Sequence, residues 1–397
     1  MKLSNRVLAI EPSPTLALNA RALELRRKGE DVISFAVGEP DFDTPAHIKE
    51  AAVAAIREGF TKYTPASGIP ELREAVARAM EREQGVRYAS DEVIISTGAK
   101  QALYNAFQAL CGPGDEVIIP APYWVTYPEQ AKMAGATPVI VPTGPGTGFK
   151  ITPELLREVI TPNSRVLVLN SPANPTGSMY SRDELLALAQ VCIEHDLYVF
   201  SDEVYGKLVY DGGRHTSIAA VLPEMRERTI VVDGVSKAYA MTGWRIGWAL
   251  GPRETIRAMG VVQGHATSNA TSIAQKAALA ALQGSQEPVR AMVEEFQRRR
   301  DYMFQRLSRM PGLTVEPAAG AFYLFPGIHQ LKGQKLGSRV IAGDADLAEL
   351  LLEEARVVVV PGSAFGCPDH LRLSYATSME NIAKGLDRLE GLLMRLG

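Results

Sequence analysis

Short runs of Val, Ile and Leu recur along the first two thirds of the chain, with helical patterns between them. They are EVIIS (92–96), EVIIP (116–120), RVLVLN (165–170), LYVFS (197–201) and TIVVD (229–233). Their apolar positions are nearly continuous rather than alternating, the pattern of strands covered on both faces, so a mostly parallel sheet flanked by helices is predicted. Start signals mark the intervening helices. Thr44-Pro45 precedes AHIKEAAVAAI, Thr152-Pro153 opens a second helix, and Ser181 with Glu184 makes a capping box before LLALAQVCIEH. The alternation predicts an α/β domain over 45–285. Beyond it come a long charged amphipathic helix (EPVRAMVEEFQRRRDYMFQRLSRM), AAGAFYLFP, a helical DADLAELLLEEA, the strand-like VVVVP and HLRLSYA, and a last helix from Met379, which read as a smaller α+β domain.

Composition narrows the function classes. A chain of 397 residues with 46% hydrophobic content favours two lobes over one compact unit. Forty-two Lys and Arg against 45 Asp and Glu, with no long run of one sign, argue against nucleic acid or an acidic membrane surface as partner. Cys111, Cys192 and Cys367 lack metal-ligand spacing and read as bystander thiols in a reducing compartment, so no metal is expected. The apolar VLAI near the N-terminus is too short for a signal-peptide core and no later run is long enough to span a bilayer, so a soluble, cytoplasmic protein is expected.

In a parallel sheet, ligands bind beyond the carboxyl ends of the strands. The residues just past each apolar run are therefore informative: Thr97-Gly98-Ala99-Lys100 entering a helix, Tyr123-Trp124, SPANPTG, DEVY, and GVSK. Taken singly, these residues have plain readings. Lys237 reads as a surface lysine, Asp202 as a turn cap, Trp124 as core packing, and Arg245 and Arg372 as members of structural ion pairs. NPTG is a turn in any case, so the question there concerns Asn174. Thr97–Lys100 is neither a P-loop nor a dinucleotide fingerprint, although a strand-to-helix junction aims backbone N–H groups at an anion. Together, at one edge, the groups converge. Lys237 lies among Val235, Ala238, Tyr239 and Ala240, with Arg245 eight residues on; burial and a nearby cation both lower a lysine's pKa and free the neutral amine to attack carbonyls. Pyridoxal 5'-phosphate needs an amine to condense with its aldehyde, a carboxylate for its pyridine nitrogen, a donor beside its ring oxygen, an aromatic face and an anion site. Lys237, Asp202, Tyr205, Trp124 and the Gly98/Arg245 pair supply these in turn.

At these residues the sequence resembles the class I aminotransferases, and within them the bacterial Iβ aspartate aminotransferases. GVSKAYAMTGWRIG (234–247) matches their lysine-site pattern, and GEPDFDTP (38–45), KYTPASGIPELREA (62–75), SPANPTG (171–177), SDEVY (201–205) and LRLSYATS (371–378) extend the likeness over nearly the whole chain. The resemblance implies the α/β fold type I of pyridoxal-phosphate-dependent transferases, with a large domain (45–285), a small domain built from both chain ends (1–44 and 286–397), and a homodimer whose sites are shared across the interface. It implies Lys237 as the cofactor-linking lysine, Asp202 as the pyridine partner, Tyr205 and Asn174 as donors to the ring oxygen, Trp124 as the stacking ring, and Gly98, Ala99, Lys100, Ser236 and Arg245 around the phosphate. Tyr63 is implied to reach the phosphate of the partner subunit's cofactor. For substrate, it implies Arg372 as the α-carboxylate clamp, assisted by Asn174, Trp124 and the Gly38 backbone.

The implied reaction is ping-pong transfer of the amino group from L-aspartate to 2-oxoglutarate, giving oxaloacetate and L-glutamate. Lys100, Ser13 and Thr15 stand where relatives engage a distal carboxylate. Glu11 stands where relatives that use prephenate tend to carry lysine, which disfavours that substrate. Two departures are visible: Gly234 replaces a phosphate-binding serine of some relatives, with Ser236 or a backbone N–H as substitute, and Ala173 replaces an Asn. The alternatives are another class I aminotransferase (aromatic, alanine or prephenate), a pyridoxal-dependent β-lyase, or the effector domain of a transcription regulator. The last normally carries an appended DNA-binding domain, whereas this chain opens almost directly on the catalytic fold.

Overall fold

The computed structural model describes residues 2–12 and 14–396. The apolar runs join one seven-stranded sheet in the order Val93–Ser96, Gly247–Leu250, Thr229–Gly234, Tyr198–Asp202, Ser164–Asn170, Glu116–Ala121, Thr137–Pro142. Strand Gly247–Leu250 is antiparallel to both of its neighbours, and every other pairing is parallel. The predicted mostly parallel sheet is thus present, with two strands the apolar pattern did not announce. Thr137–Pro142 carries Pro138 and Pro142, which an edge strand tolerates because one side of its ladder is free. Gly247–Leu250 is short and built partly of small residues, yet all of it is buried.

Helices cover both faces. On one, Leu103 and Phe107 of helix Ala99–Leu110 pack with Ile94, Ile119, Val168 and Phe200. On the other, Leu185, Leu188 and Cys192 of helix Arg182–Glu194 pack with Leu167, Leu169 and Val199, which makes Cys192 a core thiol. Two predicted caps form: Thr152 Oγ1 accepts from Leu155 N, and Ser181 and Glu184 satisfy each other's backbone N–H groups. The third does not. Helix Ala46–Arg57 has no side-chain cap. Thr44 Oγ1 instead donates to Ala240 O at 2.7 Å and accepts from Trp244 Nε1 at 3.1 Å, pinning the segment that begins at Gly38 to the loop that carries Lys237.

The two chain ends meet in the smaller part. Ile33–Ser34 pairs in parallel with Val357–Val358. Beside it, Val360–Pro361, Leu371–Ser374 and Tyr323–Leu324 form an antiparallel sheet, covered by helices Glu287–Leu307, Asp344–Ala355 and Met379–Leu393. Among the described residues no helix is long and apolar enough to cross a membrane.

Candidate active site

The parallel strands end at Ser96, Ala121, Asn170, Asp202 and Gly234 along one edge of the sheet. Strand Gly247–Leu250 runs the other way, so it starts at that edge and delivers Arg245, two residues before it, to the same place. The small sheet approaches from above with Tyr323 and Arg372. Between them lies a cleft of about 260 Å³, lined by Gly38, Ala99, Lys100, Trp124, Asn174, Asp202, Tyr205, Ser236, Lys237, Arg245 and Arg372, all singled out from the sequence.

Lys237 Nζ donates to Gly38 O at 2.7 Å. Burial pushes its pKa from the ordinary 10.5 down to about 8; Arg245 and Arg372 push the same way, while Glu39 and Asp202 oppose. Asp202, 4% exposed, shifts in the opposite sense. Burial raises its carboxyl to about 6, although Tyr127 Oη donates to it at 2.7 Å and the Val204 N–H also points to it. Both shifts have one origin, since removing water disfavours whichever form is charged.

At the opposite side of Lys237, Gly98 precedes helix Ala99–Leu110 with φ +82°. A Cβ at Gly98 would fall 2.5 Å from Arg245 Nη2, so glycine is required both for the backbone angle and for the close approach of the guanidinium. The first N–H groups of that helix and Arg245 together make an anion-binding end. Lys100 Nζ sits 4.8 Å from the centre of the Trp124 ring at the mouth, and partial desolvation with Arg245 nearby lowers its pKa.

Arg372 is 2% exposed. Its Nη1 donates to Asn174 Oδ1 at 2.9 Å and its Nη2 to Ala36 O at 2.7 Å, while the buried Nε has no partner. A buried guanidinium N–H without an acceptor is costly, and a carboxylate ligand is its natural complement. Tyr323 and Phe365 flank the guanidinium at 4.5 and 4.9 Å.

Some expected residues lie elsewhere. Tyr63 is 90% exposed and does not line the cleft of its own chain. Ser13 and the side chain of Thr15 lie outside the described residues. Glu11 lines a neighbouring hollow that shares Lys100 and Arg245 with the cleft. Conversely, Tyr127, Tyr323, Asn170 and Thr242 line the cleft and were not anticipated. Tyr127 comes three residues after Trp124, in the first turn of helix Thr126–Ala134, a spacing visible in the sequence. Tyr323 lies on the other sheet, where no strand-end argument reaches.

The desolvated amine of Lys237, the buried carboxyl of Asp202, the helix start beside Arg245 and the buried guanidinium of Arg372 thus meet at one edge of a mostly parallel sheet. The family "Aminotransferase class I and II" matches residues 30–389, and the chain belongs to it. The chain is 49% identical over 389 residues to an aspartate aminotransferase of Geobacillus stearothermophilus, covering 98% of each. It is 48% identical over 397 residues to an aspartate/prephenate aminotransferase of Thermus thermophilus, covering 99% of each. Among solved structures, the aspartate aminotransferase of Rhizobium meliloti superimposes with a TM-score of 0.97 at 44% identity and complete coverage of both chains. The T. thermophilus aspartate aminotransferase with maleate gives 0.92 at 47% identity, covering 99% of this chain and 100% of that one. The fold is therefore type I of the pyridoxal-phosphate-dependent transferases, and the chain is an aminotransferase.

Proposed function

We propose that this enzyme is a pyridoxal 5'-phosphate-dependent aspartate aminotransferase that passes the amino group of L-aspartate to 2-oxoglutarate. The observation that carries this reading is the shared cleft: the desolvated amine of Lys237 is flanked by the buried carboxylate of Asp202 and the buried, incompletely satisfied guanidinium of Arg372.

The residues fit the cofactor. The helix start at Gly98 and Ala99, with Arg245 and Ser236, would hold the phosphate, and Trp124 would face the ring. Tyr205 and Asn174 would donate to the ring oxygen, and Asp202 would pair with the protonated pyridine nitrogen, a cation that offsets the burial of the carboxylate. Bound there, the cofactor supplies an electron sink for bond breaking at the substrate Cα.

The chain's own groups do the rest. Arg372 takes the α-carboxylate through Nε and a terminal nitrogen, with Asn174 fixing the guanidinium plane. That contact orients the Cα–H bond towards Lys237, whose Nζ takes the proton as general base and later returns it. Buried Tyr205, with a pKa raised well above 10 by burial first and Tyr323 second, stays protonated and keeps donating.

Relatives named for aspartate support the substrate, as does a solved relative holding maleate, a four-carbon dicarboxylate. Lys100 at the mouth, with Ser13 and Thr15, is the proposed distal-carboxylate group. Glu11 in the adjoining hollow favours aspartate over prephenate, the second substrate in the names of several relatives. The exposure of Tyr63 fits a homodimer in which that side chain reaches the partner's cofactor phosphate. The proposal also includes domains at 45–285 and at 1–44 with 286–397, and a cytoplasmic location.

The test is a half-reaction screen of the purified holoenzyme against aspartate, glutamate, phenylalanine, alanine and, as amino acceptors, 2-oxoglutarate and prephenate. Aspartate and glutamate are expected to shift the cofactor spectrum fastest. Faster conversion of phenylalanine or alanine, or release of pyruvate and ammonia without an acceptor, would overturn the assignment.

A further inference from the structure

Tyr323 belongs to neither the lysine loop nor the strand ends, yet it touches three parts of the site. Its Oη lies 3.0 Å from Tyr205 Oη. Its ring lies 4.5 Å below the Arg372 guanidinium. A Cβ on Gly38, the residue whose carbonyl holds Lys237, would fall 2.8 Å from its hydroxyl. The register of the small sheet explains the placement. Tyr323 pairs with Ser374 and Arg372 is two residues earlier on the same strand, so both side chains leave the same face. Tyr323 is 1% exposed and Tyr205 4%, so water does not substitute for either partner.

We infer that Tyr323 is a positioning residue that feeds a hydrogen bond into Tyr205 and ties it to the substrate-carboxylate clamp. The inference rests on the cofactor reading proposed for this site. A tyrosine hydroxyl has one proton. If Tyr205 gives its proton to the cofactor ring oxygen, the short contact between the hydroxyls requires Tyr323 to be the donor. A donor that itself accepts a hydrogen bond is polarised and donates more strongly, the more so in a dry site. The Tyr323 ring, held by Tyr205 through its hydroxyl, is at the same time the floor on which the Arg372 guanidinium rests. Orientation of the clamp and strength of the donor are thereby linked through one rigid side chain.

The charged groups nearest this pair are Arg372, Asp202 and Lys237, and Tyr323→Phe leaves all of them, and the stacking ring, in place. The experiment is a pH titration of the visible absorbance of the holoenzyme for wild type, Tyr323→Phe, Tyr205→Phe and the double variant. Weaker donation leaves more charge on the ring oxygen, which then holds the neighbouring proton more tightly. The midpoint in Tyr323→Phe is therefore expected to rise by about half a pH unit, and Tyr323→Phe is expected to add nothing in the Tyr205→Phe background. Tyr323→Leu, which also removes the ring, should in addition raise the KM for aspartate roughly 3- to 10-fold. An unchanged midpoint in Tyr323→Phe, or the same shift in both backgrounds, would overturn the inference while the cofactor reading stands. A wild-type protein that gains no visible band from pyridoxal phosphate would instead remove the cofactor reading, and this inference with it.

Discussion

The Lys237 amine should behave as a base with a pKa of about 8, and two neighbouring charges should move that value in opposite directions. Burial is the main cause of the shift; Glu39 raises the pKa and Arg245 lowers it. With a pKa of about 8 the neutral fraction at pH 7 is roughly one in eleven, against roughly 0.03% at the ordinary value, a gain of about 300-fold in reactive amine. The assay is stopped-flow absorbance of cofactor-free protein mixed with pyridoxal, which lacks the phosphate and so does not engage Arg245 as an anion site. The capture rate should follow the neutral fraction, with its midpoint at about 8. At low ionic strength, where the exposed Glu39 is least screened, Glu39→Gln should move the midpoint down and Arg245→Gln should move it up. A midpoint near the ordinary 10.5, or shifts of the same sign in both variants, would refute the electrostatic account. Linkage gives a second reading. Because the folded pKa of Lys237 is depressed, the unfolded chain binds more protons between about 8 and 10.5, and this group's contribution to stability rises with pH through that window. Asp202 is shifted upward, so its contribution falls as pH rises from 3.8 to about 6. Between about 6 and 8 both groups are charged in a dry site, the condition that a ligand carrying complementary charge relieves.

Lys237→Ala is expected to abolish turnover and the lysine-dependent visible band, and steady-state transamination in that variant would exclude Lys237 as the reacting amine. Asp202→Ala should retain some cofactor but lose at least roughly 100-fold in kcat; a near-normal rate would remove Asp202 from its role. Arg372→Lys forfeits the two-pronged contact, so kcat/KM for aspartate should fall roughly 10- to 150-fold, the equivalent of about 1.5–3 kcal/mol, and a loss below threefold would place the carboxylate elsewhere. Gly234→Ser should lower thermal stability, as followed by a thermal melt of the cofactor-free protein, and an unchanged or raised melting temperature would show that the strand accommodates the side chain.

How much of this was legible in the sequence depends on where each residue's chemistry is written. Asp202, Asn174 and Lys237 come after long β-branched runs, and a sheet that stacks those runs in parallel brings their ends together without further information. Arg245 was legible as a cation eight residues past the lysine, but the reason it arrives at the right place is the reversed strand Gly247–Leu250, whose four residues, two of them Gly and Ala, are too short a run to carry a strand signal. Thr44 was misread because a threonine before a proline looks like a cap, whereas tertiary contacts with Ala240 and Trp244 compete for its hydroxyl. Tyr323 was missed because a tyrosine between Phe322 and Leu324 reads as core, and it is indeed buried. Only the contact made by its hydroxyl distinguishes it.

Gly234 shows the same principle from the opposite side. From the sequence it is a lost phosphate contact, a serine replaced by nothing. In the fold it pairs with Gly247 across adjacent strands, and a Cβ at Gly234 would lie 2.9 Å from both Gly247 Cα and Ile246 O. Gly247 in turn packs so closely on the start of helix Ala99–Leu110 that a Cβ there would lie 2.5 Å from Gly98 C and overlap Ala99 N. Three backbones are therefore stacked without side chains between them, and the stack sets how near the N–H groups at the helix start and the Arg245 guanidinium come to each other. Overpacking a contact of this kind costs about 1–3 kcal/mol, comparable to the charge-assisted hydrogen bond that a serine hydroxyl would add, about 1.5–3 kcal/mol. The hydroxyl of Ser236, which already lines the cleft, is available as a donor without disturbing the stack, whereas Thr242 Oγ1 already donates to Glu39 Oε2. The glycine is thus better understood as part of the anion-binding geometry than as a gap in it.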